Sequence, residues 1–324
     1  MHEPDVHDVL RARRCIAPYL QPTPLHQNAA LSSLLGAEVW VKHENFQPTR
    51  AFKVRGGVNL VARLSDDERG RGVCTASTGN HGQSIAFGAR TFGVPATVYV
   101  PEGANPIKVE SIRALGATVV HHGHDFDDAR IACERFAAER GLRYVHSGDE
   151  PDLIAGVATE MLEVVEEQPD VDVVLVPIGG GSGAAGCCVV TAAIRPEIRV
   201  IGVQSGAAPS AYRSWQARAV VESPNTTAAE GLATRLPFEL PQRILQRLLD
   251  DFVLVSEDEL RSATLTMIEA TRSLVELAAG APLAAALRMR DDLRDRRVVL
   301  ICSGGNINPT QLRDLFSASV NGSR

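Results

Sequence analysis

Short apolar runs and alanine-rich segments alternate along most of the 324-residue chain. The apolar runs are rich in β-branched residues, as in "DVVLVPI", and such runs are typical of strands that are buried on both faces. The segments between them, such as "DDARIACERFAAERG", have the composition of helices. Nine runs are predicted as strands: "EVWVKHE", "GVCTAS", "ATVYVP", "ATVVHH", "RYVHS", "DVVLVPI", "RVIGVQS", "DFVLVS" and "RVVLICS". The pattern therefore predicts an α/β protein with parallel sheets covered by helices on both faces.

Composition and charge narrow the class of protein. Hydrophobic residues make up 44% of the chain and charged residues 22%, with a net charge of -6, so no basic surface for nucleic acid is expected. No apolar run approaches the roughly 20 residues that span a bilayer, and "MHEPDVHDVLRARR" lacks the apolar segment of a signal peptide. The six cysteines show no CxxC spacing. We expect a cytoplasmic protein with reduced thiols, no zinc and no membrane partner, which acts on a small molecule.

A glycine run follows the predicted strand "DVVLVPI". Five of the eight residues from Gly179 to Gly186 are glycines, and the run leads into a predicted helix. Backbone amides at a helix N-terminus form a site for a phosphate. The run also fits GxGxxG, but the next predicted strand ends in Gln204-Ser205 rather than in the acidic residue that binds a ribose. We favour a compact phosphate over a dinucleotide, with close helix packing as the purely structural alternative.

Polar side chains follow two other predicted strands. "GVCTAS" leads into residues 77–81, whose hydroxyls, amide and helix N–H groups suit a carboxylate, although a plain N-cap has the same composition. "RVVLICS" leads into Ser303, which could equally cap the last helix. Together with Lys53 in "TRAFKVRGG" and the phosphate site, these parts suit pyridoxal phosphate and an amino acid.

From "PTPL" (residues 22–25) to "CSGGN" (residues 302–306), the chain resembles the fold type II pyridoxal-phosphate enzymes. Within them it resembles the serine/threonine dehydratase (ammonia-lyase) family, which includes serine racemase. The resemblance implies two open twisted sheets flanked by helices, as in tryptophan synthase β. It also implies a large domain of residues 1–50 and 149–324, a small domain of residues 51–148, and an active site between them.

The resemblance assigns roles to individual residues. Lys53 would form the Schiff base with pyridoxal 5'-phosphate and remove the Cα proton, and Ser303 would face the pyridine nitrogen. The remaining cofactor contacts would come from Phe52, Asn80, Gly179, Gly180, Gly181, Ser182, Gly183 and Glu276. The substrate carboxylate would be bound by Ser77, Thr78, Gly79, Asn80 and His81.

The activity implied by the resemblance is the conversion of a β-hydroxy amino acid, threonine or serine first, to a 2-oxo acid and ammonia. A serine hydroxyl does not keep the pyridine nitrogen protonated, and the weaker electron sink that results favours elimination of the β-hydroxyl group. The alternatives are a 3-hydroxyaspartate or phenylserine dehydratase, a serine racemase-like isomerase and a β-replacement enzyme. The Asn80-His81 pair argues against β-replacement, since those enzymes usually have threonine after the asparagine. Family members commonly form dimers and some form tetramers, so the resemblance implies a homodimer.

The chain departs from the family pattern at four positions. Arg50 replaces the usual glycine of "TG(S/A)FK", and the functional hypothesis is that it binds a second carboxylate on the substrate; a solvent-facing or salt-bridged arginine is the alternative. Thr78 keeps the hydroxyl that racemases have in a serine, but adds a methyl group. Ala158 and Ser182 each stand where relatives have glycine.

The sequence contains two candidate cation positions. His121, His122 and His124 resemble a metal cluster, but adjacent side chains on a strand point to opposite faces, so no metal is expected there. Some relatives bind a structural cation beside an acidic residue at the position of Glu230. A divalent or potassium cation there stays an open alternative.

Overall fold

The computed structural model describes residues 2–77, 79–124 and 126–321, with side chains up to residue 317. The chain divides into two compact units. Unit 1 comprises Met1–Gln21 and Lys53–Thr159, and unit 2 comprises Pro22–Phe52 and Glu160–Arg324. These boundaries differ from the expected ones at residues 50 and 149, and the N-terminal segment groups with the expected small domain.

Helix α1 explains why the N-terminal segment belongs to unit 1. It spans Val6–Ile16, and an Asp5–Asp8 capping box fixes its start. Its last residue Ile16, together with Leu20, packs against Val54 and Val58 in one buried cluster. These contacts join residues that are distant in sequence, so no local pattern predicts them.

Unit 1 is built on a four-stranded parallel sheet with the order β5-β4-β3-β6. Alternate strand residues face two different hydrophobic clusters: Val73 and Val98 lie in one, and Cys74 and Tyr99 lie in the other. Helices therefore cover both faces of the sheet. The elements after α1 are α3 (Lys53–Ala62), α4 (Asp66–Arg71), β3 (Val73–Ala76), α5 (Asn80–Phe92), β4 (Ala96–Val100), α6 (Pro106–Ala114), β5 (Thr118–His121), α7 (Phe126–Arg140), β6 (Arg143–Tyr144) and α8 (Pro151–Val157).

Unit 2 is built on a six-stranded sheet with the order β1-β2-β10-β7-β8-β9, parallel except for the pair β1 and β2. Its elements are β1 (Leu25–Gln27), α2 (Ala29–Leu35), β2 (Glu38–His43), α9 (Thr159–Glu167), β7 (Val173–Pro177), α10 (Ser182–Ile194), β8 (Arg199–Ser205), α11 (Ser210–Ala217), α12 (Glu239–Leu248), β9 (Asp251–Val255), α13 (Glu257–Thr271), α14 (Leu277–Arg288), α15 (Arg290–Leu293), β10 (Arg297–Cys302) and α16 (Pro309–Asn321). Short 3-10 turns occupy Glu44–Phe46 and Glu230–Leu232.

The predicted fold class is confirmed: both sheets are flanked by helices, and all nine predicted runs form strands. The strand β1 was not predicted. It has three residues, of which Leu25 is buried and His26 and Gln27 are exposed, so it shows no apolar run. Among the described helices, none is both long and apolar enough to cross a membrane.

Candidate active site

Lys53 is the first residue of α3 in unit 1. Its side chain is half-buried, and its Nζ atom donates a hydrogen bond of 3.3 Å to the carbonyl oxygen of Ser147. Its own carbonyl oxygen accepts a hydrogen bond of 2.6 Å from the hydroxyl of Ser84 on α5. The backbone and the amine of this residue are therefore each held by a different element of the same unit.

The glycines that follow Lys53 allow α3 to approach its neighbours closely. A Cβ atom on Gly57 would lie 2.2 Å from Oγ of Ser84, and one on Gly56 would lie 2.8 Å from the carbonyl oxygen of Leu153 on α8. Neither position has room for a side chain. The "RGG" sequence thus brings α3 against α5 and α8, which positions Lys53 beside the start of α5.

Residues 77–81 comprise the end of the connection from β3 and the first two residues of α5, Asn80 and His81. Gly79 is the N-cap of α5 and has no side chain, and the hydroxyl of Ser77 accepts a hydrogen bond of 3.2 Å from the Gly79 N–H. The first turn of α5 consequently has no side-chain cap, and this suits an anion better than the plain N-cap that the sequence left open. Thr78 lies outside the described residues.

Lys108, which the sequence did not single out, is a buried cation beside this loop. It belongs to α6 and is 7% exposed, and its Nζ atom lies 3.7 Å from the position that a Cβ on Gly79 would take. A lysine is rarely so buried unless a negative charge compensates it. In the sequence it is one lysine within a helical segment, and nothing there distinguishes it from a solvent-exposed lysine.

The glycine run after β7 forms the start of α10 in unit 2. Gly181 has φ of +89°, a conformation that favours glycine, and as N-cap of α10 it provides no side-chain hydrogen bond. A Cβ on Gly179 would lie 2.2 Å from the Gly231 carbonyl oxygen, and one on Gly180 would lie 2.0 Å from the Phe238 ring. Close packing therefore accounts for two of the glycines. The first turn of α10, which receives no side-chain hydrogen bond from its N-cap, still fits a phosphate.

Three predicted cofactor contacts come together in unit 2. The N–H of Phe52 donates a hydrogen bond of 3.0 Å to the carbonyl oxygen of Ser303, which follows β10 and is 4% exposed. The Phe52 ring lies 3.1 Å from where a Cβ on Gly183 would be. Glu276 borders the same segment, because a Cβ on Gly304 would lie 2.6 Å from its Oε1 atom. The structure thus groups Phe52, Ser303 and Glu276 near the start of α10.

Arg50 adopts a left-handed backbone conformation with φ of +58°. Its N–H donates to the Gln47 carbonyl oxygen at 2.8 Å, and its carbonyl oxygen accepts from the Gly305 N–H at 2.9 Å. Its side chain is exposed, and its guanidinium forms no hydrogen bond or ion pair with a residue that the structure describes. Of the two structural alternatives, the solvent-facing arginine is observed rather than the salt-bridged one. The positive φ is a conformation that favours glycine, the residue that the family pattern has here.

The two candidate cation positions have other partners. His121 Nε2 lies 3.3 Å from the guanidinium of Arg113, a neighbour that repels a metal ion. Glu230 is exposed, and its Oε1 accepts a hydrogen bond of 3.0 Å from Gln311. Within the described part of the chain, no group of three or more His, Cys, Asp or Glu side chains is placed to hold a metal ion.

The chain is similar to known proteins over most of its length. Residues 16–304 match the family described as "Pyridoxal-phosphate dependent enzyme". An L-threonine ammonia-lyase of Thermotoga maritima is 38% identical over 316 residues, which are 97% of this chain and 79% of that protein.

Two solved enzyme structures have the same fold as this chain over nearly its whole length. Serine racemase from Dictyostelium discoideum has a TM-score of 0.89 at 30% identity, covering 94% of this chain and 99% of that one. Threonine deaminase isoform 2 from Solanum lycopersicum has a TM-score of 0.90 at 29% identity, covering 97% and 94%. These matches confirm the resemblance and argue against a dinucleotide-binding module as the identity of this chain. The chain belongs to the family of pyridoxal-phosphate dependent enzymes.

Proposed function

We propose that this enzyme is a lyase that converts a β-hydroxy amino acid of the threonine or serine type to a 2-oxo acid and ammonia. The similarity to L-threonine ammonia-lyase over nearly the whole chain supports this activity. When bound, pyridoxal phosphate supplies an electron sink that makes the Cα proton of an amino acid acidic.

The single observation that carries the proposal is the residue directly after β10. It is Ser303, a hydroxyl rather than a carboxylate, and its backbone is hydrogen-bonded to Phe52, the residue directly before Lys53. A hydroxyl facing the pyridine nitrogen does not stabilise the positive charge there as a carboxylate does. Negative charge at Cα is then short-lived, and this favours prompt loss of the β-hydroxyl group.

The other residues of the proposal bind and orient. The first turn of α10 and the glycine run before it, with Gly179, Gly180, Gly181, Ser182 and Gly183, would hold the cofactor phosphate. Asn80 would bind the 3-oxygen of the ring, and Glu276 would lie beside it. Lys53 would anchor the cofactor covalently, and its amine would take the Cα proton of the substrate.

The substrate carboxylate would bind at the first turn of α5. The N-cap Gly79 supplies no side-chain hydrogen bond there, and Ser77, Thr78, Asn80 and the backbone N–H of His81 would supply further polar contacts. Lys108 would add a positive charge to this site, since its Nζ atom lies beside Gly79. A carboxylate gains from both the helix terminus and the ammonium group.

The properties of Arg50 support a more specific substrate for this activity, the acidic amino acid 3-hydroxyaspartate. Its guanidinium is exposed and free of described partners, and it precedes Lys53 by three residues. A guanidinium binds a carboxylate through two hydrogen bonds, which would select a substrate with a second carboxylate.

The test is release of 2-oxo acid and ammonia from the purified, cofactor-loaded enzyme. The substrates are L-threonine, L-serine, the two threo-3-hydroxyaspartates and L-phenylserine, with Lys53→Arg as the control that keeps the charge but removes the amine. Equal amounts of both products from at least one substrate, lost in the control, are expected. No release from any of them, with the cofactor bound, would contradict the proposal.

Racemisation is the second candidate, because Thr78 keeps a hydroxyl at the position where racemases have serine. It is distinguished in the same reactions by the chirality of the recovered amino acid and by its deuterium content after reaction in D2O. We also propose that the enzyme is a cytoplasmic homodimer. By resemblance to some relatives, a divalent or potassium cation would bind beside Glu230.

A further inference from the structure

The tautomer of His81 is fixed by its neighbours on one side of the ring. Its Nε2 atom lies 2.9 Å from the hydroxyl oxygen of Thr75, and that hydroxyl donates its proton to the carbonyl oxygen of Val145 at 2.8 Å. A threonine hydroxyl has one proton to donate. Nε2 must therefore carry the hydrogen and donate it to Thr75, which leaves Nδ1 as a hydrogen-bond acceptor.

The Nδ1 atom of His81 is a buried acceptor. The residue is 5% exposed, and Nδ1 has no hydrogen-bond partner among the residues that the structure describes. Burial, together with Lys53 and His146, lowers the pKa of His81 to about 3, so the ring stays neutral at physiological pH. Nearly all buried polar atoms in proteins have a partner, and those that lack one often serve function.

Lys53 is a hydrogen-bond donor that is anchored on the same short segment of unit 1 as the His81 ring. The imidazole is anchored through Thr75 on the carbonyl of Val145, and the Lys53 amine is anchored on the carbonyl of Ser147, two residues further along. Val145 and Ser147 both lie in the short segment between β6 and α8, so the two anchors are close along the chain. Ser84, one turn after His81 on α5, in turn holds the Lys53 backbone.

The segment that carries Ser147 is itself held in place. The Nδ1 atom of His146 accepts hydrogen bonds from the N–H groups of Gly148 at 3.2 Å and Asp149 at 2.8 Å. The N–H of His146 donates to Glu150 at 3.2 Å. The Ser147 carbonyl is therefore a fixed acceptor rather than part of a loose loop.

We propose that His81 is a positioning residue for Lys53: its Nδ1 atom and the Ser147 carbonyl together accept hydrogen bonds from the protonated amine of Lys53 once that amine has taken a proton. This inference rests on the proposed role of Lys53 as the base. Two neutral acceptors stabilise an ammonium group and orient it, so the proton remains on Lys53 at a defined place until it is passed on. Among the described residues, the charged and titratable groups that act on the pair are His146 and, 3.5 Å from it, Asp149; Glu134 and Arg130 on α7 act on His146 in turn.

Two substitutions separate the roles of the two ring nitrogens. In His81→Asn the side-chain oxygen takes the place of Nδ1, so the acceptor is kept and the bond to Thr75 is lost. In His81→Gln the side-chain amide nitrogen can still donate to Thr75, and the acceptor at Nδ1 is lost. Both variants introduce an uncharged amide side chain. They differ in the ring nitrogen that the amide replaces, Nδ1 in His81→Asn and Nε2 in His81→Gln.

The readout is the pH at which acylation of the Lys53 amine is half-maximal in the full chain stripped of its cofactor, measured by peptide mass spectrometry. This readout needs no substrate, so it stays informative even if the proposed lyase activity is wrong. We expect His81→Gln to move the half-maximal pH down by about one unit, a tenfold change, and His81→Asn to leave it within a few tenths. In the loaded enzyme, the acid limb of the kcat profile should move in the same way.

Equal values for the wild type and both variants, or a shift in His81→Asn as large as in His81→Gln, would overturn the proposal. Circular dichroism checks the fold of each variant. If His81→Gln does not fold, Thr75→Val replaces it: without its hydroxyl the tautomer is no longer fixed, and a smaller shift in the same direction is expected, with no shift counting against the proposal.

Discussion

Lys42 and Glu163 form a buried ion pair in unit 2, with 2.6 Å between Nζ and Oε2. Lys42 is fully buried and Glu163 is 4% exposed, and Lys42 also donates to the carbonyl oxygen of Thr23 at 2.7 Å. Replacing only one partner leaves a buried charge without compensation. Lys42→Met is therefore expected to lower the free energy of unfolding by about 3–5 kcal/mol, as measured by urea denaturation.

The double variant Lys42→Met/Glu163→Leu should recover most of that loss, because neither charge of the pair is left without the other. The partly exposed pair of Arg63 and Asp152 is the control, and removing it should cost about 0–1 kcal/mol. A single variant as mild as the control would contradict the interpretation of a desolvated pair.

Gly57 and Gly70 make a matched pair of glycine-to-alanine substitutions on helices of unit 1. A Cβ on Gly57 would lie 2.2 Å from the Ser84 hydroxyl, whereas a Cβ on Gly70 has nothing within 4 Å. Gly57→Ala should cost about 2 kcal/mol or more and weaken cofactor binding, since α3 and α5 are forced apart. Gly70→Ala should stabilise by about 0.5–1 kcal/mol. Thermal unfolding and cofactor titration measure both effects.

Arg50 and Arg218 both have positive φ, at 58° and 53°, and both side chains are exposed. Replacing either by glycine should stabilise the chain by about 1 kcal/mol, because the strain of the left-handed conformation is relieved. Only Arg50→Gly should change the ranking of substrates, by lowering kcat/KM for 3-hydroxyaspartate relative to threonine. An unchanged ranking would show that Arg50 has no role in selection.

Lys108 is tested through substrate binding. Lys108→Gln should raise KM at least tenfold, about 1.4 kcal/mol, because the proposed carboxylate site loses its positive charge. Lys108→Arg should retain most of the binding. The lost interaction would stabilise the bound substrate and the transition state equally, so kcat should change less than KM. Steady-state kinetics distinguish this result from a loss of catalysis.

His43 makes stability depend on pH. Burial, with a smaller contribution from nearby His26, lowers the pKa of His43 from 6.5 to about 4. Between these values the unfolded chain binds more protons than the folded one, so stability falls as pH drops below 6.5. In His43→Gln the loss of stability between pH 7.5 and pH 5 should be smaller by about 2 kcal/mol than in the wild type. An equal loss would mean that His43 titrates normally in the folded protein.

The sequence by itself determined the fold class and the kinds of chemical group at the strand ends. Strand runs such as "DVVLVPI" are local patterns, because a strand buried on both faces must be apolar throughout. The glycine run, residues 77–81 and Ser303 were found because each directly follows such a strand. Lys53 was recognised through its motif, whose residues are neighbours in sequence.

The tertiary structure decided what depends on residues far apart in the chain. It showed that Gly56 and Gly57 serve helix packing, that Lys108 lies beside Gly79, and that Arg50 has a left-handed backbone. It also fixed the tautomer of His81, through Thr75 and Val145. Close approach, burial and hydrogen-bond direction arise only when distant segments pack together, so no local pattern contains them.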